Sequence, residues 1–138
     1  MAFTGNFLSD TFKIGLRNAD FDFAPGTTDV YKIALYTNAA TLDATTPAYT
    51  TAGEVVASGY TAGGEVLTPV VGFANGVSFI TFNNVSWSGA FTARGALIYK
   101  DGGAAVCVLD FGSDKTSVNT FPVQFPVATS ADALIRFG

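Results

Sequence analysis

The sequence predicts an all-β protein: an antiparallel β-sandwich or jelly roll of about eight short strands, with a short helix near the N-terminus. Three observations carry this. Short runs of aromatic and β-branched residues recur at even spacing, separated by Gly, Pro and Asn-Gly turn signals. Only one segment shows helical periodicity. The chain has 138 residues, 49% of them hydrophobic and only 13% charged, with 13 Phe and 5 Tyr, a composition that orders rather than solvates a chain. At this length one domain is expected, residues 1-138, with 1-20 as an N-terminal arm and helix.

The helix is expected over Asp10–Arg17, ending near Asn18. Ser9 and Asp10 offer side-chain oxygens for its first N–H groups. Phe12, Leu16 and Ala19 follow at i, i+4, i+7 and predict the docking face. Phe7 and Leu8 are placed to pack back on the first turn. Gly15 weakens the helix by about 1 kcal/mol relative to Ala.

A Pro-Gly turn at Pro25-Gly26 closes an acidic loop. Val30–Tyr36 is a strand with Tyr31, Ile33 and Leu35 on one face and Lys32 on the other. Thr37–Gly64 is rich in Thr, Ala and Gly and reads as a long loop. With Tyr49 and Tyr60 it suits a contact surface. Glu65–Val71 is a strand that Pro69 confines to an edge. Asn75-Gly76 turns the chain into Val77–Phe82, and Val85–Trp87 follows. Phe91–Lys100 and Ala104–Phe111 form a hairpin about Asp101-Gly102-Gly103. A three-residue loop sets Leu97 opposite Cys107 and Arg94 opposite Asp110. Phe121–Phe125 and Ala133–Phe137 complete the set.

Composition excludes much chemistry. The chain has no His and a single Cys. That removes the commonest general base, an internal disulfide and a Cys cluster for zinc. A net charge of -4, with 7 Lys+Arg scattered along the chain, argues against nucleic acid as a partner. Met1 to Phe7 lacks the cationic and apolar regions of a secretory signal, so synthesis in the cytoplasm is expected. No apolar run spans a bilayer, so no membrane partner is expected. The Asn84-Val-Ser86 sequon then reads as chance.

Candidate chemical groups read as structural. Cys107, among Ala and Val, is a core thiol. Ser113 with Lys115 has the composition of a dyad without the constraint of one. Asp20, Asp22 and Asp29 have the oxygen donors for a hard cation but lack the pattern of a calcium loop. Asp101, Asp110 and Asp114 supply carboxylates whose pairing only geometry can decide. Asp110-Phe111-Gly112 matches a kinase triplet in letters alone. Tyr36, Tyr49, Tyr60 and Trp87 could stack on sugar rings if they formed an exposed row. The expectation is therefore no catalytic residue, no cofactor and no metal.

The low charge points to protein contacts. Strands Phe91–Lys100 and Ala104–Phe111 are apolar on both faces, Phe91, Leu97 and Tyr99 on one and Ala96 and Ile98 on the other. One face is core; the other calls for a cover, either helix 10–17 or another subunit. A homo-oligomer, with a trimer favoured, is the expectation.

Four strings carry a resemblance. They are Asp29-Val-Tyr-Lys-Ile-Ala-Leu-Tyr-Thr-Asn38 with Ala40-Thr-Leu-Asp43, Ser58-Gly-Tyr-Thr-Ala-Gly-Gly64, Phe91-Thr-Ala-Arg-Gly-Ala-Leu-Ile-Tyr99, and Ala105-Val-Cys-Val-Leu-Asp-Phe-Gly-Ser-Asp-Lys115. Together they resemble small virion proteins of tailed bacteriophages. The resemblance runs from the amphipathic start to Lys115 and brings no catalytic motif. It implies a non-enzymatic structural role in the virion, most economically as a capsid decoration (cement) protein bound to the major capsid protein or other virion proteins. A tail or neck component, or an adhesin with a carbohydrate-binding sandwich, is the alternative. Phe3, Phe7, Leu8 and Phe12 of the arm, with Tyr49 and Tyr60 of the loop, are the expected contact residues.

Overall fold

The computed structural model describes residues 5–137. Among them are ten strands and one helix: β1 (Phe7–Leu8), α1 (Asp10–Arg17), β2 (Tyr31–Tyr36), β3 (Glu65–Leu67), β4 (Pro69–Ala74), β5 (Val77–Phe82), β6 (Val85–Ser88), β7 (Thr92–Lys100), β8 (Ala105–Thr116), β9 (Thr120–Val123) and β10 (Ile135–Phe137). All pairing is antiparallel. One sheet has the order β1-β8-β7-β2-β3. A second has β10-β5-β4, and β6 and β9 form a ribbon. The main core lies between them. Tyr31, Ile33, Leu35, Ile98 and Val106 meet Ile80, Phe82, Trp87, Phe121 and Ile135 there. This is the sandwich the sequence predicts.

Two strands more than expected have local causes. Glu65–Val71 divides at Thr68. β3 pairs with β2 and β4 with β5, so the chain changes sheets at this point. Both halves lie on sheet edges, as Pro69 requires. Phe7 and Leu8 do not fold back as a staple; they pair with Val108 and Cys107. Asn75 and Gly76 both have positive φ, 53° and 77°, the signature of a tight hairpin turn.

Helix α1 has the predicted bounds. Ser9 caps it, its hydroxyl accepting from the Thr11 N–H at 3.1 Å. Its docking face differs from the expected one. Phe12 and Gly15 are buried, whereas Leu16 is exposed and Ala19 lies beyond the helix with a φ of 59°. Phe12 sits edge-on to Phe21 and Phe23. A Cβ on Gly15 would stand 2.3 Å from the Phe21 ring. The bare glycine, a liability for helix propensity, is what lets this ring close over the helix.

The β7–β8 register departs from the expected one. Next to the turn Tyr99 faces Ala105, as predicted, but Ile98 faces Cys107 and Leu97 faces Val108. Val106 is the extra residue of a β-bulge. The bulge puts Val106 and Cys107 together on the main core and Ala105 and Val108 on the other face. A second irregularity between Ala93 and Gly95 leaves Phe91 with Ile98 in the main core, not with Leu97 and Tyr99 as expected. Arg94 and Asp110 still form an ion pair.

The second apolar face of the large sheet is not where the helix docks. The chain's own loop 37–64 lies over it. Ala40, Leu42 and Tyr49 of that loop pack on Ala34, Tyr36, Leu97, Tyr99, Ala105 and Val108.

Candidate functional site

The 37–64 loop is the chain's most organised polar feature, and it is built outward from one carboxylate. Glu54 is the single charged residue between Asp43 and Glu65 and is 6% exposed. Tyr49 and Tyr60 hydroxyls donate to its two oxygens, each at 2.6 Å. The Gly63 N–H donates to the Tyr60-bonded oxygen at 2.8 Å. Tyr60 also accepts from the Leu35 N–H at 2.9 Å, which ties the cluster to β2. Tyr99 reaches out from β7 and donates to the Gly63 carbonyl at 2.7 Å, while its ring stacks on Tyr49 at 4.7 Å. Tyr36 donates to the Thr50 carbonyl at 2.7 Å. Backbone bonds stitch the loop down: Val55 N–H to Leu35, Tyr49 N–H to Gly103 and Ala105 N–H to Pro47.

Local sequence explains why the loop reaches this far. Its glycines supply the left-handed turns and the close approaches. Gly64 has φ +80°, and a Cβ there would lie 1.8 Å from the Ile33 carbonyl oxygen. Burial raises every tyrosine in the cluster above its ordinary range, and for Tyr49 and Tyr60 the hydrogen bond to Glu54 adds to the effect. Tyr99 is pushed up to about 12. These hydroxyls act as neutral donors, and the arrangement fixes a loop. It leaves Glu54 no open side for a substrate.

The acidic loop 20–29 is satisfied by the chain itself. Asp29 accepts from the Asp22 N–H at 2.9 Å and lies 3.4 Å from the Lys100 ammonium. Lys100 also donates to the Asp20 carbonyl at 2.6 Å and sits over the Phe21 ring. Asp22 turns onto the Ala24 N–H. A lysine thus stands where a bound cation would be expected, and among the described residues no three acids converge as a metal site.

The other candidates are similarly placed. Asp101 pairs with Lys32 at one end of β8's hairpin, while Asp110 and Asp114 lie toward the other. The Asp110 carboxyl is held low by the Gly112 N–H and by Arg94. Ser113 and Lys115 are exposed on β8. Cys107 is fully enclosed, and burial pushes its thiol up to about 12. An open groove of about 420 Å³ runs between β8 and β9, lined by Phe111, Lys115, Phe121 and Pro122 among others.

Of the expected contact residues, Phe3 lies outside the described residues. Phe7 and Leu8 are half-buried in β1. Phe12 is fully buried and Tyr60 is 8% exposed, so both belong to the chain's own core. Tyr49 is half-buried against Tyr99. Tyr36 and Trp87 are buried as well, so the four aromatics do not form an exposed row for sugars. Glu54 escaped the sequence reading. Its isolation within an uncharged, tyrosine-bearing stretch was the available signal.

Comparison of the chain with protein-family models, curated proteins and solved structures finds no match.

Proposed function

We propose that the chain is a non-enzymatic structural component of a tailed-bacteriophage virion, most economically a decoration protein that cements the coat lattice. The observation that carries the reading is the set of four strings, spread from Asp29 to Lys115, that resemble such proteins. The geometry is in keeping with it. Glu54 with Tyr49 and Tyr60 of loop 37–64, together with Tyr36 of β2 and Tyr99 of β7, holds an apolar cover in place, which suits a particle that must stay rigid. In this reading each copy binds the assembled lattice and stabilises it by mass action, and several copies acting together gain avidity. The partner is the major capsid protein or a neighbouring virion protein, the chain associates with itself, and the site of synthesis is the host cytoplasm.

Mass spectrometry of purified virions tests this, with immunogold labelling to place the protein on head, neck or tail. The expected result is stoichiometric recovery with particles and label on the head. Recovery only in the soluble lysate would sink the reading. Label on the tail would move the protein to the alternative location.

A further inference from the structure

Of the chain's seven asparagines, only Asn75 is followed by glycine. The pair forms the whole loop between β4 and β5, with Ala74 facing Val77 at the strand ends. Asn75 and Gly76 have φ of 53° and 77°, and both are exposed, as are Phe73 and Ala74 before them. A Cβ on Gly76 would meet nothing within 4 Å, so that side of the turn faces open space. The Gly76 N–H makes no hydrogen bond among the described residues. Asn75 ties the turn to loop 124–133: its side-chain amide donates from Nδ2 to the Ser130 hydroxyl at 3.2 Å. The other asparagines are placed differently. Asn6 and Asn84 accept with their side-chain oxygens from the Asp110 and Phe125 N–H groups, at 2.6 and 2.7 Å, and Asn18 ends α1. At all six the following residue carries a side chain.

We propose that Asn75 is a site of spontaneous covalent modification, deamidated through a cyclic imide. The Gly76 amide nitrogen gives up its proton and attacks Asn75 Cγ. A bond forms between them, the Cγ–Nδ2 bond breaks, and Nδ2 leaves as ammonia with the proton that Gly76 lost. Water, the one co-reactant, then adds across either imide C–N bond. Opening at Cγ leaves an aspartate. Opening at the main-chain carbonyl leaves an isoaspartate, with the main chain rerouted through Cβ and Cγ. Glycine suits the attacking position because it has no Cβ to crowd the ring and has the widest choice of backbone angles. The folded turn holds both residues at positive φ, so the attack passes through an opening of the turn. A two-residue loop in solvent lies at the low-cost end of such local openings. The product adds one negative charge to a chain of net charge -4 and removes the amide that donates to Ser130. Isoaspartate also lengthens a turn whose length fixes the pairing of Ala74 with Val77, at the tip of an edge strand.

Intact-mass spectrometry of the purified protein, held at neutral and at mildly alkaline pH and followed by peptide mapping, is the test. Asn75→Asp is the control, since aspartate tolerates the same left-handed turn conformation and has no ammonia to lose. The wild type should gain the mass difference between a hydroxyl and an amino group, first at Asn75 and faster at alkaline pH, where the attacking nitrogen loses its proton more readily. The mapped peptide should divide into two species of equal mass, one for each opening of the imide. Asn75→Asp should lack this early gain. The folded protein should react within about tenfold of the chain unfolded in guanidinium, the cost of one hydrogen bond in an exposed loop. A gain that appears first at another asparagine would overturn the proposal, as would its persistence at full rate in Asn75→Asp. So would a folded rate more than about tenfold below the unfolded one, because the turn would then shield Asn75. These readouts are independent of the virion reading, which particle composition judges separately.

Discussion

Glu54 shows how much of this protein turns on single side chains. It accepts three hydrogen bonds, from the hydroxyls of Tyr49 and Tyr60 and the Gly63 N–H. Glu54→Gln keeps the shape but puts an amide N–H₂ against hydroxyl and N–H donors. The variant should lose about 2–3 kcal/mol of stability, read by denaturant unfolding through Trp87, the chain's one tryptophan and 2% exposed. Loss of under half a kcal/mol would mean the carboxylate is not the anchor of the loop. The tyrosines make a second prediction. All five are raised above their ordinary value near 10, burial being the first cause in each case. The folded state therefore holds protons that the unfolded chain releases. This stability is complete below pH 10 and is lost as the pH rises through 10 toward the raised values. Absorbance at the tyrosinate band should stay flat past pH 10 and then rise together with unfolding. A gradual rise centred on 10 in folded protein would contradict the burial. Cys107 follows the same physics: a thiol reagent should leave it untouched in native protein and modify it on unfolding.

At the scale of elements, local signals were legible where one stretch of chain decides the outcome. Ser9 and Asn18 bound the helix as its caps predict, and Asn75-Gly76 makes the expected turn. Where two elements must agree, sequence reading failed in instructive ways. The helix face followed Phe21, not the i, i+4, i+7 spacing. Gly15→Ala should therefore destabilise the protein by about 1–3 kcal/mol, although alanine improves helix propensity by about 1 kcal/mol. A stabilised variant in thermal unfolding would show that the Phe21 ring has room to move. The hairpin register was legible at its turn and lost at Val106, because a bulge is set by what both faces must bury. Neither Ala105 nor Val108 announces that in sequence.

For the whole molecule, the low charge has an internal use. Part of it is an internal cover, since loop 37–64 shields the second face of the large sheet. The candidate site was less legible than the fold for this reason: Tyr49 and Tyr60 stood out as exposed contact residues only while their carboxylate partner went unnoticed. By itself the sequence determined the all-β class, the strand and helix segments, the turns and the inertness of Cys107. Each follows from local periodicity, backbone preference or composition. Only the tertiary structure decided which face of α1 docks, where β8 bulges and what covers the second face. Those outcomes depend on groups far apart in the chain competing for the same space, and no single stretch of sequence contains that competition.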